Sequence, residues 1–197
     1  MELIFNELIG SYLADQVGVA KDFLNKALAA HLTQNLRDLY RGRQLISAGT
    51  GNDQIVNHDK LLRSDKIYWL DRLHKDPYEN DFFDLVDLFV AFLNRTCYAG
   101  ITGYEFHYAL YEKGSFYGRH LDRFKHNGNR AYSMIMYLNK DWVIADGGEL
   151  RIYHPDRLQD IEPLNGKSIF FKSAELEHEV LPANKPRMSI TGWLKTN

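Results

Sequence analysis

GYEFHYALYEKGSFYGRHLD, running from Gly103 to Asp122, decides the fold. Tyr104 to Tyr111 and Tyr117 to Asp122 are short runs rich in aromatic residues, and Lys113-Gly114 between them supplies turn chemistry, so the stretch predicts two strands joined by a tight connection. The pattern continues downstream. Tyr132 to Leu138, Glu149 to Tyr153, Ser168 to Phe171, His178 to Leu181 and Met188 to Leu194 predict further strands. Turn residues separate them at Asn127-Gly128-Asn129, Asp146-Gly147-Gly148, Asn165-Gly166 and Asn184-Lys185-Pro186. Upstream the period changes. Leu24, Leu28, Leu32, Leu36 and Leu39 recur every three or four residues, which predicts a helix over Phe23 to Arg41 that Gly42 can end. Phe82, Val86, Phe89 and Leu93 predict a second helix over about Asp81 to Thr96, capped by Asn80 or Asp81. A further helix over Leu3 to about Ala14 and a strand near Val17 to Ala20 precede them, while Gln44 to Lys66 reads as a polar connection and candidate flap. Many short strands after a helical start imply an α+β, mainly β, class: a β-sandwich or open barrel buttressed by N-terminal helices.

Composition narrows the function. The 197 residues suit one domain, with helical support in 1–100 and a β core in 101–197. Lys+Arg 24 against Asp+Glu 26 leaves a net charge of -2, which lacks the basic footprint of a nucleic-acid binder. Cys97 is the single cysteine; that excludes an internal disulfide or a cysteine zinc module, suits a reducing cytoplasm, and suggests a packing role for the thiol. No cationic segment precedes the apolar residues at the N-terminus, so no export is expected. Charges interrupt every apolar run, so no membrane association is expected either. A monomer or weak dimer is the expected state.

The chemistry gathers around His120-Leu121-Asp122. A period of two puts the imidazole and the carboxylate on one face of a strand. His178, opening another strand, is the candidate third ligand, because two imidazoles and one carboxylate on one side of an ion leave the opposite positions free, as iron(II) oxygenases require. Arg187 follows nine residues later, beyond a turn, where its guanidinium can grip a carboxylate bidentately. Ser189 shares its face, and Tyr137 on another strand offers a phenol. Each alone has a blander reading, since most histidines are hydrogen-bonded structural residues and most lone arginines make surface ion pairs. Together the residues favour the metal site.

With these residues assembled, the chain resembles the 2-oxoglutarate dioxygenases, and within them the prolyl 4-hydroxylase family of the hypoxia-inducible-factor type and its bacterial relatives. Tyr111, Gly114, Tyr117 to Asp122, Tyr137 to Trp142, Gly147 to Ile152, Asp160 to Pro163, His178 to Val180, Arg187 and Trp193 carry the likeness, and Arg63 to Trp69 (RSDKIYW) echoes a segment bordering the family's peptide-binding face. The resemblance implies a double-stranded β-helix (jelly roll). It implies iron(II) on His120, Asp122 and His178, 2-oxoglutarate on Arg187 and Tyr137, Tyr111 ordering the metal-side contacts, and Trp193 packed beside the metal. Dioxygen is the implied oxidant, with ascorbate as a candidate auxiliary. The implied substrate is a proline-containing protein or peptide oxidised at C4, with a translation factor as the guessed partner and with Arg63, Asp65 and Arg130 bordering its site. An Asp65–Arg130 pair is expected to fix the flap. Arg123 and Ser189 depart from the animal enzymes, and the Arg-x-Ser pattern is shared with other branches of the superfamily. Three alternatives stay open: the same chemistry on another side chain or on a free amino acid, a zinc hydrolase using the same ligands, and a non-catalytic β-barrel binding module. His31, His58, His74, His107, His126 and His154 are read as solvated or core histidines.

Overall fold

The computed structural model of the chain describes residues 1–52, 55–57, 62–122 and 129–196. In chain order its elements are α1 (Glu2–Asp15), β1 (Gly18–Lys21), α2 (Lys26–Arg41), β2 (Ile46–Ser47), β3 (Thr50–Asn52), β4 (Ile55–Asn57), β5 (Lys66–Trp69), α3 (Pro77–Cys97) and β6 (Gly103–Tyr111). They continue with β7 (Tyr117–His120), β8 (Arg130–Tyr137), β9 (Leu150–Tyr153), β10 (Leu158–Ile161), β11 (Lys167–Lys172), β12 (Glu177–Val180) and β13 (Arg187–Lys195). The strands form a large antiparallel sheet in the order β1-β11-β8-β13-β6-β5-β2, a smaller one in the order β10-β9-β12-β7, and a β3-β4 pair. This is the expected helix-buttressed jelly roll.

Side-chain parity explains how two cores share one sheet. Registers such as Ser189 opposite both Ala109 and Tyr137, and Ile169 opposite Ile135, match odd positions with odd across β6, β13, β8 and β11. Successive side chains alternate between faces, so the whole set divides in two. Even-numbered Phe106, Tyr108, Leu110, Met134, Met136, Phe170, Ile190 and Leu194 pack against Phe5, Leu32, Phe82 and Phe89 of the helices. Odd-numbered Ala109, Tyr111, Ile135, Tyr137, Ile169 and Phe171 face Leu150, Ile152 and Val180 of the smaller sheet. The second space holds the functional residues.

The helices differ from expectation at their starts, for reasons of capping. α2 begins at Lys26 rather than Phe23 because the Asn25 side chain accepts the Leu28 N–H at 2.9 Å; Phe23 and Leu24 are buried ahead of the helix. α3 begins at Pro77. The Asp76 carboxylate accepts the N–H groups of Tyr78 and Glu79, both at 2.9 Å, and proline is favoured at the first helical position. Asn80 and Asp81 therefore lie inside the first turns. The first half is also less purely helical than expected, since β1, β2 and β5 all join the large sheet. Cys97 is exposed rather than packed. Among the described residues no helix is long and apolar enough to cross a membrane.

Gly192 is where β13 and β6 come closest. It sits opposite Phe106, and a Cβ there would fall on the Glu105 carbonyl oxygen and the Phe106 ring. Both neighbours are held in the sheet and the core, so neither can yield cheaply. Gly192→Ala is expected to destabilise the protein by about 3 kcal/mol, the upper part of the range for overpacking. For a chain of this size that lowers the melting temperature by roughly 6–12 °C, measurable by calorimetry. An unchanged melting temperature would refute the close approach.

Candidate active site

His120 ends β7 and lies opposite His178 on the antiparallel β12; Asp122 follows two residues later. One ligand atom from each side chain falls within 4.8 Å of the others. His120 Nε2 stands 3.4 Å from one Asp122 oxygen, and His178 Nε2 stands 3.5 Å from the other. The far ring nitrogens are taken up by the backbone: His120 Nδ1 lies 2.8 Å from Gly118 O, and His178 Nδ1 lies 3.1 Å from Leu176 O. Only a donor satisfies a carbonyl, so each Nδ1 carries a proton and each Nε2 is the ring atom turned to the centre. Tyr117 stacks on His120 with 3.5 Å between ring centroids, and Phe171 meets His178 edge-on at 4.8 Å. These packings fix ring orientation.

Asp122 is 8% exposed, and burial opposes its ionisation. His178, His120 and the Ser133 hydroxyl more than offset that and hold the carboxyl well below the usual carboxylate range. The Ser133 hydroxyl donates to Asp122 Oδ2 at 2.6 Å and lies 2.9 Å from the Ser173 hydroxyl, so the carboxylate is oriented as well as charged. Burial pushes His178 down to about 4, leaving it neutral near pH 7. Two imidazoles, each turning Nε2 inward, and an ionised carboxylate thus converge on one point. Such a donor set demands a cation, and its nitrogen and oxygen composition suits iron(II).

The odd-numbered face of β6, β8 and β13 supplies the rest of a cavity that also opens onto the triad. Arg187 is 1% exposed, and its Nε donates to Gly148 O at 2.8 Å. Its Cζ lies 5.0 Å from the ring centroids of both Tyr111 and Tyr137. Arg187 Nη2 and Tyr137 Oη are buried and make no hydrogen bond with the protein. A carboxylate fits there: it would supply acceptors to both orphaned donors and a charge to the guanidinium. Ser189, set between Tyr137 and Ala109, bonds the Thr191 hydroxyl at 3.2 Å, and Thr191 and Trp193 line the same cavity. The structure therefore gathers His120, Asp122, His178, Arg187, Tyr137, Tyr111 and Trp193 into one space, with Ser189 in its wall.

The expected Asp65–Arg130 pair is not formed. Asp65 is buried and bonded bidentately by Arg63 at 2.6 and 3.0 Å, a partner two residues away that reaches it without crossing the sheet. Arg130 instead bonds Glu105 at 2.7 Å and lies 3.5 Å over the Trp193 ring. Arg63 lies 4.4 Å over Tyr117 and lines the cavity, so both arginines border the site by other routes. Of the flap over Gln44 to Lys66, residues 53–54 and 58–61 lie outside the described residues; the remainder holds β2, β3 and β4. Arg123, His58 and His126 also lie outside them.

Ser133, bonded to Asp122, escaped the sequence reading, and His107, read there as a solvated or core histidine, lines the cavity. Ser133 shares the face of Tyr137, four positions on, and His107 shares that of Tyr111, four positions on. Strand parity was the signal that could have found both.

Residues 106–195 match the family described as the 2OG-Fe(II) oxygenase superfamily. The chain is 30% identical to a solved prolyl-4-hydroxylase from Pseudomonas putida, covering 98% of this chain and 100% of that one, with a TM-score of 0.87. A prolyl hydroxylase from Trichoplax adhaerens, solved in complex with a peptide fragment of the hypoxia-inducible factor oxygen degradation domain, is 25% identical over 98% of this chain and 90% of that one, with a TM-score of 0.86. A hypoxia-inducible factor prolyl hydroxylase of Caenorhabditis elegans is 32% identical over 146 residues, which is 69% of this chain but only 20% of that longer protein. The fold, the converging triad and a bacterial relative matched along its entire length agree: the chain belongs to the 2OG-Fe(II) oxygenase superfamily.

Proposed function

We propose that this protein is an iron(II)- and 2-oxoglutarate-dependent dioxygenase that hydroxylates C4 of a prolyl residue in a protein substrate. The observation that carries the reading is the pairing of a cation-demanding triad with the orphaned carboxylate-binding donor of Arg187 in one cavity, with the orphaned Tyr137 hydroxyl on the ring beside that guanidinium. Likeness to prolyl hydroxylases from three organisms supports prolyl as the target, and the peptide bound by the Trichoplax relative supports a protein segment over a free amino acid.

His120, Asp122 and His178 would hold iron(II), which supplies the redox chemistry that activates dioxygen beside the substrate. Arg187 and Tyr137 bind the distal carboxylate of 2-oxoglutarate, and the Gly148 carbonyl fixes the guanidinium in place. Ser133 holds the Asp122 carboxylate in its ligating orientation. Tyr111 and Trp193 line the cavity around the co-substrate and exclude water. The products are hydroxyproline, succinate and carbon dioxide, one oxygen atom entering each of the first two. The protein's own task is placement of a C–H bond, since oxidation at carbon rests on positioning rather than acid–base work.

Anaerobic reconstitution with iron(II) and 2-oxoglutarate, followed by air and mass spectrometry of cell-extract proteins, tests this. The expected result is a 2-oxoglutarate-dependent gain of one oxygen on a proline. Succinate formed with oxygen appearing on another residue would overturn the prolyl assignment.

A further inference from the structure

The roles above leave two buried polar groups on the cavity wall unused. His107 on β6 is 1% exposed, and neither ring nitrogen makes a hydrogen bond. Trp193 Nε1 on β13 is buried and unpartnered as well. Leaving such groups unsatisfied costs stability, whereas an apolar side chain of similar size at 107 would carry no such penalty. The two rings are neighbours, 5.5 Å apart between centroids, and Trp69 of β5 closes on His107 edge-on at 5.0 Å. Burial, with Arg63 and Arg130 nearby, pushes His107 down to about 3. The ring is therefore a neutral imidazole with one donor and one acceptor.

Position along the strands says what these groups meet. His107 lies opposite Thr191, four residues along β13 from Arg187, about 13 Å at the rise of a strand. A five-carbon diacid anchored on Arg187 extends no further than about two residues of extended chain, so it does not fill the His107 end. At that end Trp69, 42% exposed, packs on the His107 ring. His107 lines the same cavity as His120, Asp122 and His178, so a group bound there shares the space of the triad.

Resting on the prolyl reading above, we infer that His107, with the Trp193 indole N–H beside it, is a positioning and specificity residue that hydrogen-bonds a backbone carbonyl of the peptide segment at the target proline. A prolyl residue has no N–H of its own, so its backbone can be recognised only through an acceptor. The imidazole N–H and the indole N–H are the donors waiting for one.

The test uses the iron(II)-loaded enzyme, its His107→Leu and His107→Gln variants, and a panel of capped, tryptophan-free peptides with one proline each. Three quantities are read: anaerobic peptide binding from quenching of the protein's tryptophan fluorescence, the KM for peptide against that for 2-oxoglutarate, and hydroxyproline formed per succinate. In His107→Leu, peptide Kd and KM are expected to rise about 10-fold, as loss of one buried hydrogen bond predicts, with hydroxyproline per succinate falling and the 2-oxoglutarate KM nearly unmoved. Glutamine keeps an N–H donor and is expected to recover most of the loss. Unchanged peptide affinity in His107→Leu overturns the inference, as does a parallel rise in the 2-oxoglutarate KM or a glutamine variant no better than leucine. A wild-type enzyme that makes succinate but hydroxylates no proline in the panel fails the prolyl reading itself, and this inference with it.

Discussion

Asp122→Ala is expected to weaken iron(II) binding by more than about 100-fold and to abolish succinate formation. Removing a residue that merely orients a ligand already costs metal sites 10–100-fold, and Asp122 supplies both a ligand atom and the site's only negative charge among its three side chains. What would remain is two imidazoles with 4.3 Å between ring centroids and no anionic ligand to hold a dication against its hydration. Failure to fold is not the expected route to this loss. Asp122 is held well below the usual carboxylate range, so the folded state loses some stability with it, but the Ser133 and Ser173 hydroxyls still bond each other once the carboxylate is gone. The metal-free variant should melt within a few degrees of the metal-free parent, while added iron(II) raises the melting temperature of the parent alone. A variant that still gains stability from iron(II) at the parent's concentration dependence would sink the assignment of Asp122.

How much of this was legible in the sequence follows from how strongly each feature constrains its neighbours. The β core was readable because its strands alternate between two buried faces and are separated by turn residues that allow little else. β5 and β10 were missed because the signal there is faint. β10 buries only Ile161 of its four residues, and β5 buries only Ile67, so neither offers an apolar period to detect. The start of α3 was misplaced because its apolar stripe begins at Phe82, whereas the helix is started by Asp76 and Pro77. The triad was legible from the two-residue spacing of His120 and Asp122, although β7 ends at His120, and from the ligand set that pointed to His178; the register that sets β12 against β7 is encoded in no local pattern.

The misassigned pair shows the same boundary. Arg63 and Asp65 are two residues apart with both side chains reaching one side of the chain, so a bond between them needs no tertiary information. Resemblance pointed past this local partner to Arg130, which the sheet instead delivers to Glu105 and Trp193. His107 teaches the converse. It was set aside as a core histidine, and burial alone agrees, but a core histidine ordinarily has its ring nitrogens satisfied. Only the structure shows that these are not.

Arg187→Met is expected to raise the KM for 2-oxoglutarate about 100-fold while leaving iron(II) affinity within a few-fold. Methionine preserves much of the length and the packing between Tyr111 and Tyr137, so the change isolates the charge and its hydrogen bonds. Truncating one member of a buried, hydrogen-bonded charge pair costs about 2–5 kcal/mol, and about 3 kcal/mol corresponds to roughly 150-fold. Arg187→Lys should recover little, because an ammonium cannot donate to Gly148 and present a second donor in the same plane. A KM within about 3-fold of the parent, on the scale of a single weak contact, would remove Arg187 from the co-substrate site. Stability should move the other way. Among the described residues no carboxylate lies within ion-pair distance of this buried cation, and its Nη2 has no partner, so the ligand-free protein carries a charge that only a ligand can compensate. The methionine variant, free of 2-oxoglutarate, is therefore expected to melt at or above the temperature of the parent, and the order should reverse at saturating 2-oxoglutarate. A residue kept for packing would lose stability in both states; a residue held in strain for its ligand loses it only in the second.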